Sequence, residues 1–378
     1  MTQATQTPPF SPNGSATQFA GKHVLISAGG TGGHVYPALA VAERLRALGA
    51  RVSWLGTEAG IEARLVPQAG IELHTIFVQG LRGNGWKRKL QAPLTVMSAV
   101  SQARKVFNLI KPDVFLGFGG FASGPGAVAA KLAGVPVVVH EQNAAMGLTN
   151  KIVSLWAKRV LLAFPIEGRD GHVVGNPIRA SIAALPLPSE RIRTHIPYRV
   201  LVVGGSLGAK AINEVVPTAL APLLGSIELT HQTGKFTYQD TLAAYEERGL
   251  SQHVTVCEYI EDMDGAYANA DLVIARAGAL TVSEIASVGL PAIFIPLPHA
   301  VDNHQYLNAK CLADNSAAKI LLQSDLTPDN LRDCVYGLLD GNKLLTMAIQ
   351  ARQLSHAPAL PAIIQQLSEV IYANDSHH

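Results

Sequence analysis

Residues 27–36 read Ser-Ala-Gly-Gly-Thr-Gly-Gly-His-Val-Tyr, directly after the apolar run Val24-Leu25-Ile26. Glycines at that density let backbone N–H groups converge on a helix start, where they attract phosphate. The alternative is a tight strand-to-helix turn with no ligand. His34 closes the loop. It reads either as an ordinary first-turn residue or as a general base, because a neutral imidazole accepts a hydroxyl proton near physiological pH. G-x-G-x-x-G would need glycine where Val35 stands, and G-x-x-x-x-G-K-[ST] needs a lysine that does not follow. A dehydrogenase and a P-loop NTPase are therefore disfavoured.

A second loop of the same kind, Gly204-Gly205-Ser206-Leu207-Gly208, follows Val200–Val203. Further on, Ala279–Glu284 reads ALTVSE. Thr281-x-x-Glu284 fits a capping box, and a carboxylate at a strand's carboxyl end equally fits two ribose hydroxyls. Spacing leaves both open. Asp262-Met263-Asp264 has the D-x-D form that holds a divalent metal in some sugar-nucleotide enzymes. It also opens a helix, where Asp262 serves as N-cap, so no metal site is expected. Without G-x-S-x-G, Ser206 and His34 make no hydrolase triad.

These loops need elements to carry them. Apolar runs ending in glycine or polar residues recur: HVLISAGG, RVSWLG, DVFLGFGG and VPVVVHEQN, then YRVLVVGGS, ELTHQTGK, VTVCEYI, DLVIARAG and PAIFIPLPH. Helical-period segments such as Pro37–Leu48 and Gly126–Ala133 separate them. Continuous rather than alternating strands between helices predict βαβ units, with parallel sheets covered on both faces. The pattern starts twice, near residues 24 and 200, and the proline-rich VGNPIRASIAALPLPSE reads as a linker. Two Rossmann-like domains are expected, over 21–178 and 179–345, after a disordered tail over 1–20. The segment 346–378 follows, with Ile363, Ile364, Leu367, Val370 and Ile371 on one helical face. In such sheets ligands bind outside the strands' carboxyl ends, where the unusual polar clusters fall.

Composition agrees. Of 378 residues, 48% are apolar and 15% charged, which suits two buried cores, and a net charge of +2 argues against a nucleic-acid protein. Three scattered cysteines (Cys257, Cys311, Cys334) suit a reducing compartment and form no zinc motif. The leader has no signal-peptide pattern.

In order along the chain, GGTGGH, QGLRGNG, GFGGFASGPG, HEQNAAMGLTNK, VVGNPIR, VVGGSLGA, HQTGK, YIEDM, ALTVSEIA and the His-Gln of DNHQY resemble the MurG family of peptidoglycan glycosyltransferases. The resemblance covers about residues 22–345. It departs at Ala277, where many members have serine, and in the leader. It implies a GT-B fold: two Rossmann-like domains with parallel sheets facing across a cleft, and a C-terminal helix returning to the first. It implies inverting transfer of GlcNAc from UDP-GlcNAc to the C4 hydroxyl of MurNAc in undecaprenyl-pyrophosphoryl-MurNAc-pentapeptide (lipid I), giving lipid II, with no cofactor and no essential metal. Donor contacts implied by motif are Thr31, Gly32, Gly33, Asn143 and Arg179, then Ser206, Ile260, Ala279, Leu280, Thr281, Val282, Ser283, Glu284 and Gln305. GGTGGH and GGFASGPG would face the acceptor diphosphate, with His34 as base and Glu141 as the substitute. The resemblance assigns Glu284 to the ribose. Rival readings are a UDP-GlcNAc 2-epimerase and a non-catalytic sugar-nucleotide-binding subunit.

Between Val78 and Leu90 the chain reads VQGLRGNGWKRKL. It is either a solvated loop or, given a lipid-linked acceptor, a bilayer contact made by Leu81, Trp86, Lys87, Arg88 and Lys89. Basic residues and tryptophan favour an anionic interface. The expected location is peripheral, on the cytoplasmic side of the cell inner membrane, with other cell-wall synthesis proteins as possible partners and no nucleic acid.

Overall fold

Strands that are apolar along their whole length must be covered on both faces, and those of this chain are. The computed structural model describes residues 17–78, 86–205, 208–298, 303–356 and 358–375, apart from the side chains of 86–93 and 374–375. The first sheet contains β1 (His23–Ala28), β2 (Arg51–Gly56), β3 (Glu72–Thr75), β4 (Val114–Gly119), β5 (Val137–Glu141), β6 (Arg159–Leu162) and the two-residue β7 (His172–Val173), in the order β3-β2-β1-β4-β5-β6-β7. The second contains β8 (Tyr198–Val203), β9 (Ile227–Gln232), β10 (Val254–Cys257), β11 (Leu272–Ala275), β12 (Ala292–Phe294) and β13 (Ala318–Ile320), in the order β10-β9-β8-β11-β12-β13. Pairings from β3 to β5 and across the whole second sheet are parallel. Every residue of β1, β4 and β11 is buried.

In both sheets the strand order reverses beside the first strand. That reversal opens a crevice at the carboxyl ends of β1 and β4, and another at those of β8 and β11. GGTGGH follows β1 and GGFASGPG follows β4; GGSLGA follows β8 and RAGALTVSE follows β11. The topology thus gathers the glycine motifs in pairs.

The chain forms two compact units, Met1–His140 with Leu148–Leu161 and Leu360–His378, and Glu141–Gly147 with Leu162–Ala359. The expected boundary at 178/179 therefore moves. Ala163, Phe164, Ile182 and Ile192 are buried in the second unit's core, so the proline-rich stretch is part of that unit rather than a linker. The helix Gly341–Gln353 also lies in the second unit, and Ile363, Ile364, Leu367, Val370 and Ile371 of the helix Ala359–Asp375 are all buried in the first. The tail also ends sooner than expected. Phe19 is fully buried, its N–H donates to Leu48 O, and its ring lies 6.4 Å from that of Tyr372, whose hydroxyl donates to Gln18 O. Residues 1–16 lie outside the described residues.

One buried carboxylate ties the leading ends of β8 and β11 together. Asp271 is fully buried and accepts from the Arg193 and Arg199 amides (2.9 and 2.8 Å) and from the Arg199 guanidinium (3.0 and 2.7 Å). Burial pushes its pKa up, but the bonds from Arg199 and the two amides outweigh it, and the net shift is downward. A depressed carboxylate pKa stabilises the fold above the unfolded value and loses that effect as pH falls through the folded one. Asp271→Asn is expected to lower stability by about 3 kcal/mol at neutral pH. In thermal melts the gap to the parent should close as pH drops below about 4.

Candidate functional site

The first unit builds a loop pair. β1 ends at Ala28, whose carbonyl accepts from buried Trp54 Nε1 at 3.0 Å, and the register between β1 and β4 slips between Ser27 and Ala28. The slip brings the two glycine loops into backbone contact. Gly120, at φ +94, lies so close to Gly29 that a Cβ there would be 2.5 Å from Gly29 O. The helix Gly32–Ala47 then starts with Thr31 as an extended N-cap that makes no side-chain cap bond. The first-turn N–H groups of Gly32 and Gly33 are left for an outside acceptor, at the positive end of a helix of 16 residues.

His34 is half-buried beside this loop. Its Nδ1 lies 3.2 Å from Gly29 O and 3.3 Å from Thr31 Oγ1. A carbonyl oxygen only accepts, so Nδ1 carries the proton and Nε2 carries the lone pair. A Cβ at Gly119 would be 3.4 Å from Nε2, which places the basic nitrogen against the β4 loop. The structure thus puts Thr31, Gly32, Gly33 and His34 together, with His34 in the tautomer a base needs. Glu141, the substitute base, is 3% exposed and employed in holding its own loop. Oε1 accepts from Asn143 N (3.0 Å) and Nδ2 (3.2 Å), and Oε2 from Gly147 N (3.0 Å).

In the second unit the helix Ala279–Val288 begins at Gly278, an N-cap without a side chain. The capping-box reading of Thr281 and Glu284 therefore fails: neither stands where a cap must. Ala279, Leu280 and Thr281 present first-turn N–H groups, again at a positive helix end. Val282 does not belong with them, because its side chain is fully buried and its amide donates to Gly278 O at 2.9 Å. Ser283 Oγ accepts from Asn176 Nδ2 at 3.0 Å, and the same amide donates to Gln142 O at 2.9 Å. Glu284 accepts from Tyr267 Oη at 3.2 Å and lies 3.6 Å from the Arg179 guanidinium, which is also 3.6 Å from Asp264. Burial pushes the Glu284 carboxyl above its usual range despite Arg179 and Tyr267. Asp262 caps the helix Met263–Ala268 by accepting from Gly265 N at 2.8 Å, so the two aspartates of D-x-D have separate tasks.

Asn143 Oδ1 accepts from Asn308 Nδ2 at 3.2 Å, and Asn308 also accepts from Ala144 N (2.7 Å) and donates to Ala277 O (3.1 Å). Gln305 Oε1 accepts from Leu297 N at 3.0 Å, and Ile260 packs half-buried on the core. Ser206 and Leu81 lie outside the described residues, as do the side chains of Trp86, Lys87, Arg88 and Lys89. Sequence reasoning missed Asn176, Gln232 and Asn308. Gln232 clamps the β8 loop by accepting from Gly205 N and donating to Gly205 O, both at 3.1 Å, and it also donates to Glu258 O at 2.9 Å. Asn176 and Gln232 stood inside quoted motifs, VGNPIR and HQTGK; Asn308 had no such signal. His231, in the same motif as Gln232, is structural. It is fully buried between Tyr245 and Asn213, and burial pushes its pKa down to about 3.

Residues 24–162 match the glycosyltransferase family 28 N-terminal domain and residues 199–363 its C-terminal domain. An Aeromonas hydrophila protein named UDP-N-acetylglucosamine–N-acetylmuramyl-(pentapeptide) pyrophosphoryl-undecaprenol N-acetylglucosamine transferase is 51% identical over 349 residues, covering 91% of this chain and 96% of its own. A Mannheimia succiniciproducens protein of the same name is 50% identical over 93% of this chain and 98% of its own. The crystal structure of Acinetobacter baumannii MurG is 44% identical, with a TM-score of 0.83 over 93% of this chain and 99% of that one. The chain belongs to the MurG family. Its two Rossmann-like domains are those of the GT-B fold. The kitacinnamycin glycosyltransferase, 19% identical with a TM-score of 0.68, shares the fold alone.

The Glu284 environment has a measurable consequence. A carboxyl whose folded pKa is raised stabilises the fold only below its unfolded pKa, and that contribution is lost as pH rises through the folded value. Glu284→Gln should therefore melt at or above the parent temperature at pH 7.5. The difference should vanish as pH falls below about 4.3. A capping residue would give the opposite, a loss of about 1 kcal/mol at every pH where it is ionised.

Proposed function

We infer that this chain transfers GlcNAc from UDP-GlcNAc to the C4 hydroxyl of MurNAc in lipid I, with inversion, and forms lipid II. One observation carries the reading: relatives bearing that activity's name match it at 50–51% identity over nine-tenths of its length. The names of these relatives favour this reading over a 2-epimerase or a non-catalytic binding subunit.

The chemistry assigned to the residues is a single displacement. The acceptor oxygen attacks C1 of the donor sugar, the C1–O bond to UDP breaks, and the hydroxyl proton passes to His34 Nε2. Negative charge grows on the departing diphosphate. The uncapped amides of Ala279, Leu280 and Thr281, with Arg179, are arranged to stabilise it. Glu284 takes the ribose hydroxyls, and Asn143, Ile260 and Gln305 complete the donor contacts. The Gly32 and Gly33 amides take phosphate near the base. His34→Gln keeps a hydrogen-bonding side chain of similar size but loses the base. With UDP-GlcNAc and lipid I, kcat should fall roughly 10²–10⁴-fold while donor KM changes little. Glu284→Gln should instead raise donor KM about tenfold or more. The parent rate should be the same with and without EDTA; a kcat loss below about fivefold in His34→Gln would move the base elsewhere.

Peripheral attachment to the cytoplasmic face of the inner membrane belongs to the same proposal. No helix among the described residues is long and apolar enough to cross a bilayer. Trp86-Lys87-Arg88-Lys89 opens the helix Trp86–Ile110. Leu94 and Met97, two turns on, are each 69% exposed. Cations near an anionic leaflet contribute about 1 kcal/mol each, enough for salt-sensitive docking. Co-sedimentation with anionic vesicles should drop on adding salt, and drop again in Trp86→Ala/Lys87→Glu/Lys89→Glu. Parent-like binding by that variant would put the contact on another surface.

A further inference from the structure

Glu62 is a carboxylate in an unusual place. It opens the helix Glu62–Gln68, is 1% exposed, and makes no ion pair among the described residues. Neutral donors hold it instead. Oε1 accepts from Thr57 N (3.2 Å) and Thr57 Oγ1 (2.8 Å), and Oε2 from Gly30 N (3.2 Å). Three glycines make room for it. A Cβ at Gly29 would lie 2.6 Å from Oε1, one at Gly56 2.9 Å from Cγ, and one at Gly60 1.9 Å from Oε2. Burying a carboxylate without a cation is costly, and an apolar side chain would fill the space more cheaply. What the charge does must therefore lie in what it holds.

It holds one peptide plane. The N–H of Gly30 and the C=O of Gly29 belong to the same planar, trans unit and point in opposite directions. Glu62 takes the N–H; His34 Nδ1–H donates to the C=O. Flanked by two glycines, with Gly30 at φ +88, this plane has little steric resistance to flipping. A flip would remove the acceptor that keeps the His34 proton on Nδ1. A charged acceptor on the N–H also polarises the carbonyl into a stronger acceptor. We propose that Glu62 is a positioning residue that fixes the tautomer and orientation of His34 through the Gly29–Gly30 peptide. This rests on His34 as the base, and the two can fail separately.

The test compares Glu62→Gln, Gly60→Ala, His34→Gln and the Glu62→Gln/His34→Gln double variant in the lipid I assay. Glutamine keeps the shape but has one accepting oxygen, too few for Thr57 and Gly30 together. Alanine at 60 drives the carboxylate off Gly30 without changing charge. Both single variants should lower kcat roughly 10–100-fold with donor KM within about twofold. The double variant should be no slower than His34→Gln, because the two act through one atom. Thr57→Val, which removes only the hydroxyl donor, should show a smaller kcat loss with the same non-additivity, and stands in should the others not fold. NMR of ¹⁵N-histidine-labelled protein, with His34 assigned by difference from His34→Gln, should show an Nδ1–H tautomer in the parent and a mixture in Glu62→Gln. An unchanged kcat in folded Glu62→Gln beside a slow His34→Gln overturns the positioning role and leaves the base standing. Multiplicative losses in the double variant, or an unchanged tautomer, also overturn it. An unchanged kcat in His34→Gln overturns the base, and the positioning role with it.

Discussion

Backbone meets backbone where Gly120 reaches Gly29, and the first unit's site depends on that contact. No side chain can stand between the two loops, since even a methyl group would press into a carbonyl oxygen. The register slip between β1 and β4 aims the loops at each other, and the helix that follows β1 must then start with bare glycine amides. From this come the exposed positive helix end, the acceptor at Gly29 O and the placement of His34. A parallel sheet supplies the frame, but contact at one ångström-scale point decides what the frame presents.

The second unit solves the same problem with amides in place of glycine contact. Gln232 and Asn308 each accept from and donate to backbone, and Asn176 donates to the Gln142 carbonyl and the Ser283 hydroxyl. A buried amide can bind both signs of partner without bringing a charge into a low-dielectric interior, so it fixes a loop without adding to the local field. Beside these amides stand Arg179, Glu284 and Asp264, in which one guanidinium lies 3.6 Å from each of two carboxylates.

Much of this was legible in the sequence. Runs such as VLVVGG and DLVIARAG became strands because a doubly covered strand must be apolar throughout, and the glycine loops followed at their carboxyl ends. β3, with Glu72 and His74, and β13, three residues long, carry too little apolar pattern to be read. Spacing leaves the capping box open because a cap depends on which residue leaves extended geometry, and Gly278 does so ahead of Thr281. Glu62 and Asn308 escaped notice for a common reason. Their partners lie 32 and 164 residues away in the chain, and no local pattern encodes such distances.

The two compact units do not follow one another along the chain. The first includes Phe19 and is completed only by Leu360–His378, which follows all of the second unit along the chain. Until then the surface that Ile363, Leu367 and Ile371 will cover stays bare, while all of the second unit has already emerged. The helix Ala359–Asp375 is thus a closing stitch, added to the first unit after the second has been made. With this threading, no single cut separates the two units. A break near residue 178 would strand Glu141–Gly147 on one piece and the closing helix on the other.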